Sequence, residues 1–239
     1  MTTTGGQVER ETRRAVRLAA GAGAGAVAAL PFLLVLALVG AGWGPLGDLD
    51  RGVADALNRW ALERPGVVDA LDVLAEVLHP SVFRTAGAVL AVTAWLRGAR
   101  VLGWWVAAVT AVSGVLVPVL KELVGRARPA FEQAVAVETS QSFPSGHATA
   151  SFVGAAVLLA VALPLLGRAG RAVAWALAVA VVLVTGFDRV ALGVHYVSDV
   201  VGGWLLGAAV VVGATVALGS PLLSPLLDPL RSRRTPSAP

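Results

Sequence analysis

The stretch Leu18–Gly47, LAAGAGAGAVAALPFLLVLALVGAGWGPLG, carries no charged residue and decides the fold. A bilayer-crossing helix needs about 20 consecutive apolar residues, so this run can span with residues to spare. It is also far longer than the ~7–15-residue apolar core of a cleaved secretory signal, although Arg10, Arg13, Arg14 and Arg17 precede it as they would precede such a signal. We read a first membrane helix over 18–42. Gly21, Gly23 and Gly25 superficially echo a dinucleotide-binding loop, but no strand precedes them, and small residues at this spacing favour close packing between membrane helices.

The remainder of the chain agrees. Of its 239 residues, 56% are hydrophobic and only 14% charged, against ~45–50% and ~25% in an ordinary soluble domain. Further apolar runs at 81–96, 101–121, 148–166, 172–188 and 199–220 complete six spans. The fold class expected is all-α: a polytopic six-helix membrane bundle, with a basic tail over 1–17, one domain over 18–220 and a disordered tail over 221–239. Between 48 and 79, acidic residues mix with apolar ones at helical spacing, through Val53, Ala56, Leu57 and Trp60, then Val68, Leu71, Leu74, Ala75 and Leu78. That pattern suits amphipathic helices at an interface, interrupted by Pro80, and makes the segment a candidate lid that deletion would test. The absence of cysteine excludes disulfide frameworks, thiolate metal sites and cysteine nucleophiles.

The net charge of +4 is read by the side of the bilayer it occupies, with no nucleic-acid partner expected. Six spans place the N-terminal arginines, Arg97 and Arg100, Arg168 and Arg171, and the C-terminal Arg231, Arg233 and Arg234 on one side. That side holds eleven basic residues against three acids, Glu9, Glu11 and Asp228; the other holds eight against twelve. Positive charge is retained in the cytoplasm, so both termini are expected there, in a multi-pass protein of the cell membrane. Trp95, Trp104, Trp105 and Trp175 then fall near the inner interface and Trp43 near the outer one.

Against this layout, Lys121, Arg126, Arg128, His147, Asp188, Arg189, His195 and Asp199 all gather at the extracytoplasmic ends of spans three to six. Ionisable groups at membrane depth are costly and usually line a cavity or pair with one another. Lys121 and Arg128, seven residues apart, fit one face of a helix and could clamp a phosphate or simply snorkel towards headgroups. Ser145, before an apolar run, is a plausible N-cap, and a helix N-terminus with Gly146 beside it offers amide hydrogens to an anion. Asp199, four residues beyond His195, is placed to bond one ring nitrogen and leave the other free to attack. Arg126, between the two clamp cations, reads as a headgroup contact, His79 as an interfacial residue and Tyr196 as a packing residue.

These elements, Lys121-x6-Arg128-Pro129, then Pro144-Ser145-Gly146-His147, then Arg189-x5-His195-x3-Asp199, make the chain resemble the type 2 phosphatidic acid phosphatase superfamily. The family's Ser before the third-motif Arg is Asp188 here, an acid placed to neutralise Arg189 in part or to repel phosphate. The resemblance implies that Lys121, Arg128 and Arg189 hold the phosphoryl oxygens with Ser145 and the Gly146 amide. It implies further that His195 attacks phosphorus to form a phosphohistidine, that Asp199 orients His195, and that His147 protonates the leaving oxygen and then activates water. No cofactor or metal is implied. The expected substrate is a membrane lipid phosphate or diphosphate, such as phosphatidic acid, phosphatidylglycerol phosphate or undecaprenyl diphosphate, hydrolysed at the extracytoplasmic face. The alternatives are a non-enzymatic lipid-binding or transport protein, which loses no phosphatase activity on His147→Ala or His195→Ala, and a vanadate-dependent haloperoxidase-like enzyme.

Overall fold

Six stretches form helices long and apolar enough to cross a membrane: Ala15–Gly40, Pro65–Leu96, Arg100–Val124, Gly146–Leu165, Arg168–Ala191 and Val197–Leu218. The computed structural model describes residues 4–218. Over those residues the elements are α1 (Thr4–Gly40), α2 (Gly44–Leu62), α3 (Pro65–Val77), α4 (Pro80–Leu96), α5 (Arg100–Val124), α6 (Gly146–Ala162), α7 (Arg168–Ala191) and α8 (Val197–Leu218), with a 3-10 turn at Leu163–Leu165 and no strand among them. The expected tail at 221–239 lies outside the described residues.

The first boundary differs from the sequence reading. The first helix begins at Thr4, so the basic segment and the first span form one continuous helix over the described residues. Pro80 begins α4, in the first-turn position where its missing N–H costs nothing. Apolar composition continues from α3 into α4 across it, and α4 is the expected span 81–96.

The outside of the bundle is apolar. Leu30 and Leu34 on α1, Val89 and Leu96 on α4, and Leu177 and Leu183 on α7 are all exposed, which in water would be a liability and in lipid is the matched surface. This is a multi-pass membrane protein. Trp43, Trp95, Trp104 and Trp175 are likewise exposed, but Trp105 is fully buried and donates its indole N–H to Thr215 Oγ1 at 3.1 Å. It is a core residue and not part of an aromatic belt.

Helix α6 lies at the centre, and its buried face includes Ala148, Ser151, Val153, Ala155, Val157, Leu159 and Ala160. The small residues of α1 pack against α8. A Cβ added at Gly21 would fall 2.4 Å from Ala217 Cβ, and one at Gly25 would fall 3.3 Å from Gly213 Cα, whereas Gly23 faces open space. Close packing therefore accounts for Gly21 and Gly25.

The amphipathic segment forms α2 and α3, which pack against α7, with α2 also touching α8. Leu71 of α3 joins Ala191, Leu192 and Val194 in one cluster. The buried face of α2 is Asp50, Ala54, Asn58 and Ala61, flanked by half-buried Val53, Leu57 and Trp60, while Ala56 is exposed. The helix thus turns a stripe of small and polar residues inward, which an apolar count does not register. Alternating helix directions bring the C-terminal ends of α1, α5 and α7 and the N-terminal ends of α4, α6 and α8 to the same end of the bundle.

Candidate active site

The α5 helix stops at Val124, where Gly125 takes φ +62° and donates its N–H to Lys121 O at 2.9 Å. A left-handed residue at this position is normally glycine, because a Cβ would meet the backbone. The turn corrects one expectation: Arg128 lies beyond the helix, so it shares no helical face with Lys121. The two cations still converge, on the Ser140 hydroxyl. Lys121 Nζ lies 3.1 Å and Arg128 Nη2 3.0 Å from Ser140 Oγ. Lys121 also donates to Gln141 O at 2.5 Å, and Arg128 Nε to Ser140 O at 2.6 Å. Glu138 Oε2 stands 3.9 Å from Arg128.

Ser145 caps α6 with β-region backbone angles and accepts from the Ala148 N–H at 3.4 Å. Its own N–H donates to Asp199 O at 3.0 Å, which joins the start of α6 to the start of α8. Ser145 is fully buried, whereas Gly146 and His147 are half-buried beside it. His147 Nε2 is buried with no hydrogen-bond partner. His79, expected outside the site, meets His147 edge-on with ring centroids 5.3 Å apart. It is the N-cap of α4, and its Nδ1 accepts from Ser81 N at 3.3 Å.

The third segment turns sharply after α7. Gly193 takes φ +70°, and the amides of Val194 and His195 both donate to Arg189 O at 3.2 Å. Arg189 and Asp188 are buried and form an ion pair, with Nη2 to Oδ2 at 2.6 Å and Nε to Oδ2 at 2.8 Å. Asp188 thus takes the neutralising role of the two considered from sequence. Helix α8 starts at Val197, so His195 precedes it. Asp199 in its first turn reaches back to accept from Tyr196 N at 2.8 Å, the return half of a capping box.

His195 is almost fully buried. Its Nε2 lies 3.3 Å from Arg128 Nη1, and its Nδ1 lies 3.4 Å from Asp199 Oδ2. A guanidinium can only donate, so Nε2 presents its lone pair and Nδ1 carries the hydrogen directed at Asp199. The structure therefore brings Lys121, Arg128, His147, Arg189, His195 and Asp199 to one end of the bundle.

Two residues join them that the sequence reading placed elsewhere or passed over. Arg126 is no headgroup contact: it donates from Nη1 to Asp199 Oδ1 at 2.5 Å and to Ser198 Oγ at 2.7 Å, and from Nη2 to Asp50 Oδ2 at 2.8 Å. Tyr196 packs its ring under the Arg126 guanidinium, 4.4 Å from centroid to Cζ. Asp50 was not singled out by any motif. Its signal was the stripe Asp50, Ala54, Asn58, Ala61 at helical spacing, an acid in line with small residues, which marks a close and polar helix contact.

Burial pushes the His195 imidazole down from its ordinary value to about 4. The bond and charge of Asp199 oppose this, and Arg128 and Lys121 add to it. The ring is accordingly neutral at pH 7, the form a nucleophile requires. Between about 4 and the ordinary 6.5 the folded protein binds fewer protons at this site than the unfolded chain, so its contribution to stability is present above 6.5 and is lost as pH falls through that window. An NMR titration of the His195 ring, identified by its absence in His195→Gln, is expected to show a midpoint near 4. Asp199→Asn should move the midpoint lower still, and a midpoint near 6.5 in the native protein would contradict the burial account.

Residues 102–219 match the family model of the PAP2 superfamily. Phosphatidylglycerophosphatase B of Bacillus subtilis is 42% identical over 92 residues, covering 37% of this chain and 44% of that protein. Decaprenylphosphoryl-5-phosphoribose phosphatase of Mycobacterium tuberculosis is 42% identical over 117 residues, covering 47% of this chain and 59% of that protein. The chain thus spans about half the length of the curated relatives it matches. Among solved structures, a transmembrane PAP2-type phosphatidylglycerolphosphate phosphatase from Bacillus subtilis shares the fold, with a TM-score of 0.66 at 23% identity, covering 90% of this chain and 99% of that one.

Proposed function

We propose, for a chain that belongs to the PAP2 superfamily, that it is an integral membrane phosphatase acting on a lipid phosphate or diphosphate through a phosphohistidine intermediate. The observation that carries the reading is the setting of His195: Nε2 faces a guanidinium that can only donate, and Nδ1 faces a buried carboxylate. A neutral imidazole held in that tautomer, with cations beside its lone pair, is an activated nucleophile next to an anion site.

In the proposed reaction Lys121, Arg128 and Arg189 balance the charge on the phosphoryl oxygens. His195 Nε2 forms a bond to phosphorus as the bond from phosphorus to the lipid oxygen breaks. His147 gives its proton to that leaving oxygen, then takes one from water as the water oxygen attacks phosphorus and the P–N bond breaks. Ser145, whose hydroxyl is spent on the α6 cap, contributes through the helix end, where the Gly146 amide faces the anion. The names of the two relatives, one a phosphatidylglycerophosphatase and one a phosphatase of a decaprenylphosphoryl sugar phosphate, support a lipid-linked phosphate as the substrate class. The arginine-rich ends and links support cytoplasmic termini and an extracytoplasmic site.

Purified protein in detergent is expected to release phosphate from at least one of phosphatidic acid, phosphatidylglycerol phosphate and undecaprenyl diphosphate with EDTA present. Loss of release on adding EDTA would remove the metal-independent mechanism. Failure on all three lipids and on simple phosphate esters would favour a binding or transport protein. In sided vesicles, turnover only of substrate on the leaflet facing the termini would reverse the orientation.

A further inference from the structure

The proposed reaction uses no residue before Lys121, yet the carboxylate behind His195 is wired to an acid in α2. Asp50 is completely buried. It accepts from the Ser198 N–H at 3.0 Å, from the Ser198 hydroxyl at 2.5 Å and from Arg126 Nη2 at 2.8 Å. Arg126 spends its other terminal nitrogen on Asp199 Oδ1, leaving Asp199 Oδ2 for His195 and the Tyr196 amide. One guanidinium is therefore shared by two buried carboxylates.

Charge balance gives this arrangement a purpose. A lone Arg126–Asp199 pair would be neutral, with the carboxylate's charge drawn towards the guanidinium and away from His195. With Asp50 included, the cluster carries one surplus negative charge. That is the complement of the positive charge that appears on His195 once Nε2 bonds to phosphorus, and in a water-poor site such complementarity is strongest. Removing one partner from a buried charged network also leaves the others unbalanced.

We infer that Asp50 is a positioning residue for the nucleophile: through Arg126 it orients Asp199 and supplies the surplus negative charge that faces His195. The inference rests on the phosphatase reading for its effect on rate, but the relay itself is a property of the folded protein. Burial pulls Arg126 down, while Asp199 and Asp50 outweigh it and hold the guanidinium above its ordinary value, in keeping with a cation committed to both acids. The other charged or titratable groups around His195 are Arg128, Lys121 and His147, with Arg189 beyond His147. On this reading α2 is a brace for the catalytic carboxylate.

The test is a double-mutant cycle on the full-length protein with Asp50→Asn, Arg126→Gln and both together, read by kcat, by KM and by the NMR titration of His195. Asp50→Asn is expected to lower kcat by about 10- to 100-fold, the scale of a lost hydrogen bond to a charged group, with KM little changed because no phosphate-holding residue is touched. Its His195 midpoint should move to lower pH, because the negative charge that favours the imidazolium is gone. If Asp50 acts through Arg126, the double variant is no slower than Arg126→Gln alone. Losses that multiply in the double variant, or a kcat loss with an unmoved titration, would assign Asp50 to the packing of α2 and overturn the inference, as would an unchanged kcat and midpoint. Should Asp50→Asn not survive purification, Asp50→Ser removes the same charge with a smaller side chain, and the same readouts decide. The titration needs no substrate. A native protein inactive on every lipid phosphate whose His195 midpoint still responds to Asp50→Asn would sink the reaction and leave the relay standing.

Discussion

His195→Gln protein is expected to turn over lipid phosphate at least about 10⁴-fold more slowly than the native protein, the scale on which removal of a covalent nucleophile is felt. Glutamine keeps a polar group near Arg128 but has no nitrogen lone pair able to bond phosphorus. His147→Ala should differ in kind. It is expected to cost about 10²- to 10⁴-fold with a lipid substrate, the range for a positioned acid, and much less with an aryl phosphate, whose leaving oxygen departs without a proton. Steady-state kcat for the lipid and for p-nitrophenyl phosphate, measured on both variants, separates the two roles. A His147→Ala loss equal for both esters would remove the acid role from that residue, and a His195→Gln protein that remained active would end the phosphohistidine mechanism.

The second large effect is expected at a residue that carries no charge. A Cβ added at Gly203 of α8 would lie 2.6 Å from Ser145 O, 3.0 Å from Ala148 Cβ and 3.1 Å from Thr149 Oγ1. Ser145 O is backbone and is held by the amide and hydroxyl of Thr149 at 3.1 and 2.9 Å, so it cannot swing aside. Gly203→Val must push α8 away from the start of α6. Overpacking of this kind costs about 1–3 kcal/mol, or about 2–4 °C in Tm for each kcal/mol in a chain of this size. The same displacement lengthens the Ser145 N to Asp199 O bond of 3.0 Å, so activity should fall along with stability. Gly23→Ala, where nothing lies within 4 Å, should leave both intact. Thermal unfolding in detergent and phosphate release from the two variants check this, and a Gly203→Val protein with native Tm and rate would show that α6 and α8 have slack the packing does not suggest.

The membrane spans were legible because lipid leaves no other option: a backbone in hydrocarbon must satisfy its own hydrogen bonds, and the apolar runs mark where it does. The residues of the candidate site stood out as well, since Lys121, Arg128, His147, Arg189, His195 and Asp199 stand where charge is costly. What could not be read was which of them would touch. Arg126 looked like a surface cation because its two acids lie 73 and 76 positions away, beyond the reach of any local spacing. The error over Arg128 was avoidable in part. A glycine after a lysine-bearing last turn is a helix stop, and reading Gly125 that way would have taken Arg128 off the helix. Trp105 was misplaced because its neighbours Trp95 and Trp104 do face outward, yet its spacing to Val109, Ser113 and Val117 follows the buried face of α5.

The bond from Ser198 to Asp50 joins positions 148 apart. A chain emerging from the ribosome therefore presents the first two sequence motifs, and even the α2 acid, well before the partner that completes the proposed relay exists. An intermediate inserted only as far as α7 would hold Lys121, Arg128 and His147 in the membrane without the proposed nucleophile, His195. In the proposed reaction, competence is thus conferred in a single event, when α8 enters and brings Ser198 and Asp199 to an α2 acid made long before them.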